Sequence, residues 1–311
     1  MILFTPAQYD GLPGMPFPAG ADTYPGKDEV AAYLETYAAA FDLPVRLGAR
    51  VTQVSRDGDR YVVATAAGTV SAGQVVVATG PFQTPVIPSV AAGLDPAVVQ
   101  LHSAYYRNPG VLPQGTVLVV GSGNSGCQIA AELAATHPVA LAVGQRLPSF
   151  PQRLAGRDLF WWLTITGAMR ATAESRLGRR MRARDAVIGT GPRQLQRLGV
   201  RLRPRVTAAT GRTIGFADGG RLDGVATVIW ATGYHLDHSW IHVPEATDDA
   251  GAIVQRRGVT PVPGLYTLGL PWQHTRGSAL LGFVTGDAAY LAARIAERHA
   301  RAGRTTPSPT G

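Results

Sequence analysis

The spacing that can do chemistry in this chain is a set of three glycines. Residues 117–126 read Val-Leu-Val-Val-Gly-Ser-Gly-Asn-Ser-Gly, so Gly121, Gly123 and Gly126 fit G-x-G-x-x-G directly after an apolar run. Each glycine has a physical task at a dinucleotide site. Gly121 permits the tight turn, Gly123 lets the backbone approach a pyrophosphate, and Gly126 lets helix and strand pack closely. Ser122, Asn124 and Ser125 complete the loop.

A turn of this kind needs a strand before it, a helix after it and a second strand beyond. Val117–Val120 supplies the first strand. Ile129, Ala130 and Leu133 follow helical spacing, Pro138 stops the helix, and Val139–Val143 supplies the next strand. The result is a βαβ unit whose helix N-terminus would meet the phosphates. At the tip of the second strand, residues 144–148 carry no carboxylate to bind a ribose 2′-hydroxyl. They carry Arg146, which either pairs with a 2′-phosphate, favouring NADP over NAD, or is an ordinary exposed arginine.

Two stretches repeat. Residues 45–81 and 200–234 both open on Val-Arg-Leu, continue to Arg-Val-Thr, pass through Gly/Asp turns between short β-branched runs, and end in Ala-Thr-Gly. Each reads as a small β-meander feeding a buried strand. Gly121 lies 79 residues before Val200. The same spacing from Val45 puts an equivalent glycine turn roughly 35 residues upstream of Met1. The turn at Gly121 therefore reads as the second of two nucleotide sites.

Composition narrows the class. A chain of 311 residues, 45% hydrophobic, has room for two cores. No apolar run reaches the roughly 20 residues of a membrane span, the longest being 159–169. Phe160, Trp161 and Trp162 within it read as core packing or an apolar lid. The N-terminus carries no export leader, so the expectation is a cytoplasmic protein. Cys127 stands alone, which leaves no disulfide, no Cys-x-x-Cys pair and no Cys-rich zinc site; no metal is expected. The net charge of +8 comes almost wholly from arginine, Lys27 being the single lysine. Five arginines crowd 176–185, but without interleaved aromatic residues they read as a solvated helix face rather than a nucleic-acid surface. Residues 28–41 read as a helix burying Val30, Leu34, Tyr37, Ala38 and Phe41, and 302–311 as a disordered tail.

Together, the two Ala-Thr-Gly strands around GSGNSG, with YPGKDEVAAYLETYA (24–38) before and GVTPVPGLYTLGLPW (258–272) after, resemble the flavin-containing monooxygenase superfamily. The resemblance runs from about Phe4 to about Arg298 and is closest to the bacterial flavoprotein-oxidoreductase branch. It implies an α/β, two-dinucleotide-binding (Rossmann-like) flavoprotein, an FAD domain interrupted by an inserted NADPH domain. Residues 1–112 and 234–311 would form the FAD domain and 113–233 the NADPH domain. The first FAD-binding βαβ would lie outside the chain, making it N-terminally shortened and putting flavin affinity in question.

By the same resemblance, Gly121, Ser122, Gly123, Asn124, Ser125 and Gly126 would surround the NADPH pyrophosphate, with Arg146 on the 2′-phosphate. Thr79, Gly80, Thr232 and Gly233 would lie near the domain junction, Gly269 and Leu270 under the flavin's ribityl-phosphate, and 271–282 along the ring. His274 and Arg276 are the candidates for tuning charge near the ring or binding substrate. His102 would order a linker, contact NADPH or be structural. Only the His102 and Tyr106 half of a Baeyer–Villiger-type signature is matched, Pro96 and Val98 standing where Phe and Gly belong, so ketone esterification is not expected. The implied activity is NADPH-driven insertion of one oxygen atom into a small organic substrate through a flavin C4a-hydroperoxide. An NADPH:flavin or quinone reductase without oxygen insertion, and a non-catalytic NADP-binding protein, stay open as alternatives.

Overall fold

The computed structural model describes residues 1–145, 147–183 and 186–304. The chain folds as two compact units. One comprises Met1–Phe4, Thr84–Ile165 and Ala183–His235; the other comprises Thr5–Gln83, Thr166–Arg182 and the chain from Leu236 onward.

The first unit is built on a five-stranded parallel sheet in the order Arg201–Arg203, Val139–Ala142, Thr116–Val120, Val225–Trp230, Val99–His102. Residues 117–120, 139–142 and 225–230 of the central strands are buried throughout and apolar at every position but Thr227, because both faces are covered. Val117, Val119 and Ile229 point to one side, where they pack with Ile129, Ala130 and Leu133 of the helix Asn124–Leu133. Leu118, Val120, Val228 and Trp230 point to the other, against Ile214, Phe216 and Leu222. Those last three belong to an antiparallel meander, Val206–Thr210, Thr213–Phe216 and Arg221–Leu222. The unit takes in 84–112 along with 113–165 and 183–235, since Val99–His102 pairs in parallel with Val225–Trp230, while Thr166–Arg182 belongs to the other unit.

The second unit repeats the pattern. Val51–Asp57, Arg60–Thr65 and Gly68–Ala72 form an antiparallel meander, followed by Val75–Val77, which pairs in parallel with Leu265–Thr267. The two sequence copies are thus two structural copies, each a meander that delivers its chain into a parallel strand ending in Ala-Thr-Gly. Fully buried Tyr61 ties the meander to the second half of the unit through its hydroxyl, which donates to Pro263 O at 2.9 Å.

Two expectations need correction. The helix forms as Lys27–Ala40, but its buried residue is Tyr33, while Leu34 and Phe41 are exposed and Val30, Tyr37 and Ala38 half-buried. Hydrogen bonding moves the buried face by one residue. The Tyr33 hydroxyl donates to Met15 O at 2.8 Å and accepts from Leu12 N–H at 2.7 Å, and its ring packs on Phe17. At the other end, the last helix runs Thr285–Arg304, so the first residues expected in the tail are helical; residues 305–311 lie outside the described residues. No helix among the described residues is long and apolar enough to cross a membrane.

Candidate functional site

At the carboxyl end of Thr116–Val120 the chain turns through Gly121 at φ +110°, in the region that favours glycine. A Cβ built there would stand 2.2 Å from Ala231 O, and one on Gly126 only 1.9 Å from Gly121 O. These two positions are closed by backbone. A Cβ on Gly123 meets nothing within 4 Å, so this glycine keeps space open instead. Gly123 is also the N-cap of the ten-residue helix and offers no side-chain cap. The first-turn N–H groups are thus left to water or to a ligand, and the helix dipole favours an anion there.

The loop side chains divide in their roles. Ser122, nearly buried, donates to Gln145 O at 3.2 Å. Asn124 accepts from Ile188 N–H at 2.9 Å, so its side chain fixes the neighbouring Val187–Ile188 strand rather than reaching outward. Ser125 is exposed. Cys127 is buried in the helix's inner face, and burial pushes its thiol up to about 11, which removes it from nucleophilic or redox chemistry.

Beside the turn lies a cleft of about 1280 Å³, lined among others by Ser122, Gly144, Arg193, Arg197, Arg203 and Arg205. Asp218 is the one carboxylate among its described lining residues. A site this size with an excess of guanidinium groups suits a polyanionic ligand. The sequence reading reached the glycines but not these arginines; Arg146 itself lies outside the described residues. The signal was present in the repeat, where the second copy has Arg203 at the position held by Gly48 in the first.

Thr232 and Gly233 belong to this unit, just past Val225–Trp230. The Thr232 hydroxyl donates to Val86 O, and Gly233 O accepts from Val86 N–H and from buried His102 Nε2, both at 3.0 Å. Their polar groups are therefore committed within the fold. Thr79 and Gly80 occupy the matching place in the other unit. Gln83 Nε2 donates to Thr79 Oγ1 and Gly80 O, each at 2.9 Å.

In that second unit the register pairs Val77 with Thr267, so Thr79 and Gly80 leave the same carboxyl edge as Gly269 and Leu270. Gly80 at φ +65° and Gly269 at φ +85° both have no atom within 4 Å of a built Cβ. Leu270 is buried beside them. Thr267 Oγ1 and Gln273 Nε2 are buried without a hydrogen-bond partner in the same loop region. His274 and Arg276 follow, half-buried, in a loop held by Ser278 Oγ, which accepts the N–H groups of His274 and Thr275 at 3.0 Å.

The sequence profile of the family described as pyridine nucleotide-disulphide oxidoreductase matches residues 13–147. An oxidoreductase of Geobacillus kaustophilus described as CzcO-like is 44% identical over 94% of this chain and 84% of its own length. Indole-3-pyruvate monooxygenase YUCCA1 of Oryza sativa subsp. japonica is 28% identical over 90% of this chain and 77% of its own. Among solved structures, a flavin-containing monooxygenase from Stenotrophomonas maltophilia aligns with TM-score 0.75 and 26% identity, covering 96% of this chain and 85% of that one. The chain belongs to the flavin-containing monooxygenase superfamily.

Membership makes this chain an oxidoreductase with the α/β flavoprotein fold of that superfamily. The disulphide chemistry in the matching profile's description has no dithiol here, since Cys127 is the only cysteine and is buried. One buried acid escaped the sequence reading. Asp10 is fully buried, accepts the Thr5 hydroxyl at 2.6 Å, and has its second oxygen unpartnered; burial raises its carboxyl to about 6. It sits on the turn whose Tyr9 stacks on Phe283, the residue following the segment expected to line the flavin ring.

Proposed function

We propose that this chain is an FAD-dependent, NADPH-consuming oxidoreductase that inserts one atom of molecular oxygen into a small organic substrate. The observation that carries the reading is the uncapped helix behind open Gly123, next to an arginine-lined cleft, in a chain similar over nearly its whole length to a flavin-containing monooxygenase.

The residues present fit both groups. Gly121, Ser122, Gly123 and Gly126 would hold the NADPH pyrophosphate by backbone N–H groups, with cleft arginines on its other phosphate. Thr79, Gly80, Gly269 and Leu270 would hold the FAD edge, where open left-handed glycines allow a ligand close to the backbone. Bound flavin supplies the hydride acceptance and oxygen activation that no side chain offers. The chain's own part is to place nicotinamide and flavin and to exclude water with groups such as Leu270. His274 and Arg276 are assigned to the electrostatics of the ring or substrate. Stable folding of the His102–Gly233 turn keeps the NADPH half in place.

A reductase without oxygen insertion is the second reading, favoured by the match to a pyridine nucleotide oxidoreductase profile. The test starts with the visible spectrum of the purified chain, incubated with excess FAD and desalted. Retained flavin bands that bleach with NADPH under nitrogen support the FAD/NADPH assignment, and ¹⁸O from labelled oxygen gas in a product supports oxygenation. Retained flavin with all NADPH recovered as hydrogen peroxide, across sulfide, amine and 2-oxoacid substrates, points to the reductase. A colourless protein sinks both.

A further inference from the structure

The arginines from Arg170 to Arg182 belong to neither the cleft nor the flavin-side edge. They lie on the segment Thr166–Arg182 of the second unit. Ser175 starts its helix, Arg176–Arg182, by accepting Gly178 N–H on its hydroxyl at 3.0 Å. Gly178 is buried and faces inward, since a Cβ built on it would stand 1.9 Å from Thr172 O. At about 100° per residue, an inward Gly178 turns Arg176 and Arg180 straight outward, with Leu177 and Arg179 on their flanks. All four are exposed, Leu177 to 50%. Arg170 and Arg182, which end the segment's two helices, are exposed as well.

Little in the fold offsets this charge. Among the described residues none of these five arginines forms an ion pair, and Arg179 spends one donor on a backbone carbonyl, Glu174 O. Glu174 is the one acid of 166–182, and its carboxylate lies 3.8 Å from Arg256 instead. Like charges held this way repel one another, and an extended anionic surface laid against them relieves the repulsion. Guanidinium groups spread over a convex helix face do not converge on one small anion. The segment has no aromatic side chain on which a base could stack. A lipid headgroup layer matches both parts of the face, offering phosphates to the arginines and an apolar boundary to Leu177.

We infer that the outward face of Arg176–Arg182 docks the protein on an anionic membrane surface. The docking has a consequence for the flavin-side loop, because the segment is fastened to it. Ala173 N–H donates to His274 O at 2.7 Å, Thr172 forms a β-bridge with Thr275, and buried Met169 comes within 3.5 Å of a Cβ built on Gly277. A docked helix therefore sets the loop of His274 and Arg276 in a fixed orientation to the headgroups.

The test needs neither cofactor. The full chain is floated with vesicles of equal parts phosphatidylglycerol and phosphatidylcholine, and with phosphatidylcholine alone, at about 0.05 M and about 0.5 M NaCl, where screening differs severalfold. Wild type is expected to float with the anionic vesicles in low salt, to leave them in high salt, and to ignore the neutral ones. Each arginine at such a surface is worth about fivefold, so Arg176→Gln/Arg179→Gln/Arg180→Gln is expected to bind on the order of 100-fold more weakly. Leu177→Gln, which changes no charge, is expected to lose about fivefold through its apolar contact. Arg46→Gln/Arg50→Gln/Arg221→Gln removes the same charge from exposed sites elsewhere and is expected to lose less than about threefold. Wild type that stays behind with anionic vesicles overturns the inference, and so does an equal loss in both triple variants, which would reduce the effect to net charge. Tighter binding of a single-stranded oligonucleotide than of anionic lipid, through the same three arginines, would overturn it in favour of nucleic acid.

Discussion

His102 Nε2 lies 3.0 Å from the carbonyl oxygen of Gly233, across the ends of two neighbouring parallel strands. Its Nδ1 accepts Ala104 N–H at 3.2 Å, which puts the ring proton on Nε2 and makes it the donor to Gly233. The ring is buried and stands edge-on to Tyr234 at 4.9 Å. Sequence reasoning left His102 between a linker, a cofactor contact and a structural role; the geometry gives it the third, as the clasp of the second Ala-Thr-Gly turn.

That clasp predicts a pH dependence. Burial lowers the pKa of His102, and likewise that of His238 in the other unit, so both are neutral in the fold. The unfolded chain takes up their protons below about pH 6.5, so their contribution to stability is complete above that value and is lost as pH falls through it. Replacing His102 by Ala removes the hydrogen bond and should cost about 1–3 kcal/mol at pH 7, with a smaller further loss on going to pH 5 than wild type shows. Urea unfolding at both pH values measures this, and an unchanged pH slope would count against the assigned role.

Gly126 and Gly123 should separate folding from binding. An alanine methyl at 126 collides with Gly121 O, so Gly126→Ala should destabilise the first unit by roughly 1–3 kcal/mol or rearrange its turn. At 123 the backbone is in an ordinary extended conformation and the space beyond is empty. Gly123→Ala should therefore unfold like wild type yet lose at least about tenfold in NADP affinity, because its methyl occupies the space a pyrophosphate needs. Thermal unfolding and nucleotide titration of the two variants decide it; equal behaviour in both measurements would refute the distinction.

What could be read from the residues was whatever is written in local pattern. The glycine spacing, the apolar strand Val117–Val120 and the duplicated Arg-Val-Thr to Ala-Thr-Gly segments each follow from near neighbours, and each appears in the fold. Features set by distant partners were not legible. Tyr33 is buried in place of Leu34 because Leu12 and Met15 satisfy its hydroxyl. Thr232 spends its hydroxyl on Val86 O, 146 residues away, and Arg205 reaches Gly144 across 61. Asp10 is a polar residue in a loop-like stretch, and nothing in its neighbours announces full burial.

Asn124 tests whether the glycine loop shapes the cleft beside it. Its Oδ1 accepts Ile188 N–H, and Val187 and Gly189 on either side line the cleft. Asn124→Ala leaves that N–H without its partner, at a cost of about 1–2 kcal/mol, and frees the wall formed by 187–189. Nucleotide affinity should drop several-fold through faster dissociation, a change that stopped-flow displacement resolves from association. Unaltered dissociation would assign Asn124 to the helix start alone.

Asp10 runs opposite to the histidines. Its folded pKa, raised to about 6 by burial, exceeds the unfolded carboxyl's, so between roughly pH 4 and 6 the native state holds a proton that the unfolded chain has released. Its contribution is present below pH 4 and is lost as pH rises through 6, reaching roughly 3 kcal/mol of destabilisation at neutral pH by the usual 1.4 kcal/mol per unit. The Thr5 hydroxyl offsets part of that cost by donating to Oδ1, while Oδ2 has no partner. Asp10→Asn keeps an acceptor for Thr5 without the charge. It should therefore be more stable than wild type above pH 6 and close to it at pH 4. The difference between the two proteins, followed by urea unfolding from pH 4 to 8, cancels the histidine slope that both share. A difference that stays constant with pH would mean that Asp10 keeps an ordinary carboxylate pKa in the fold, and that the Tyr9 turn beside Phe283 carries no proton near neutrality.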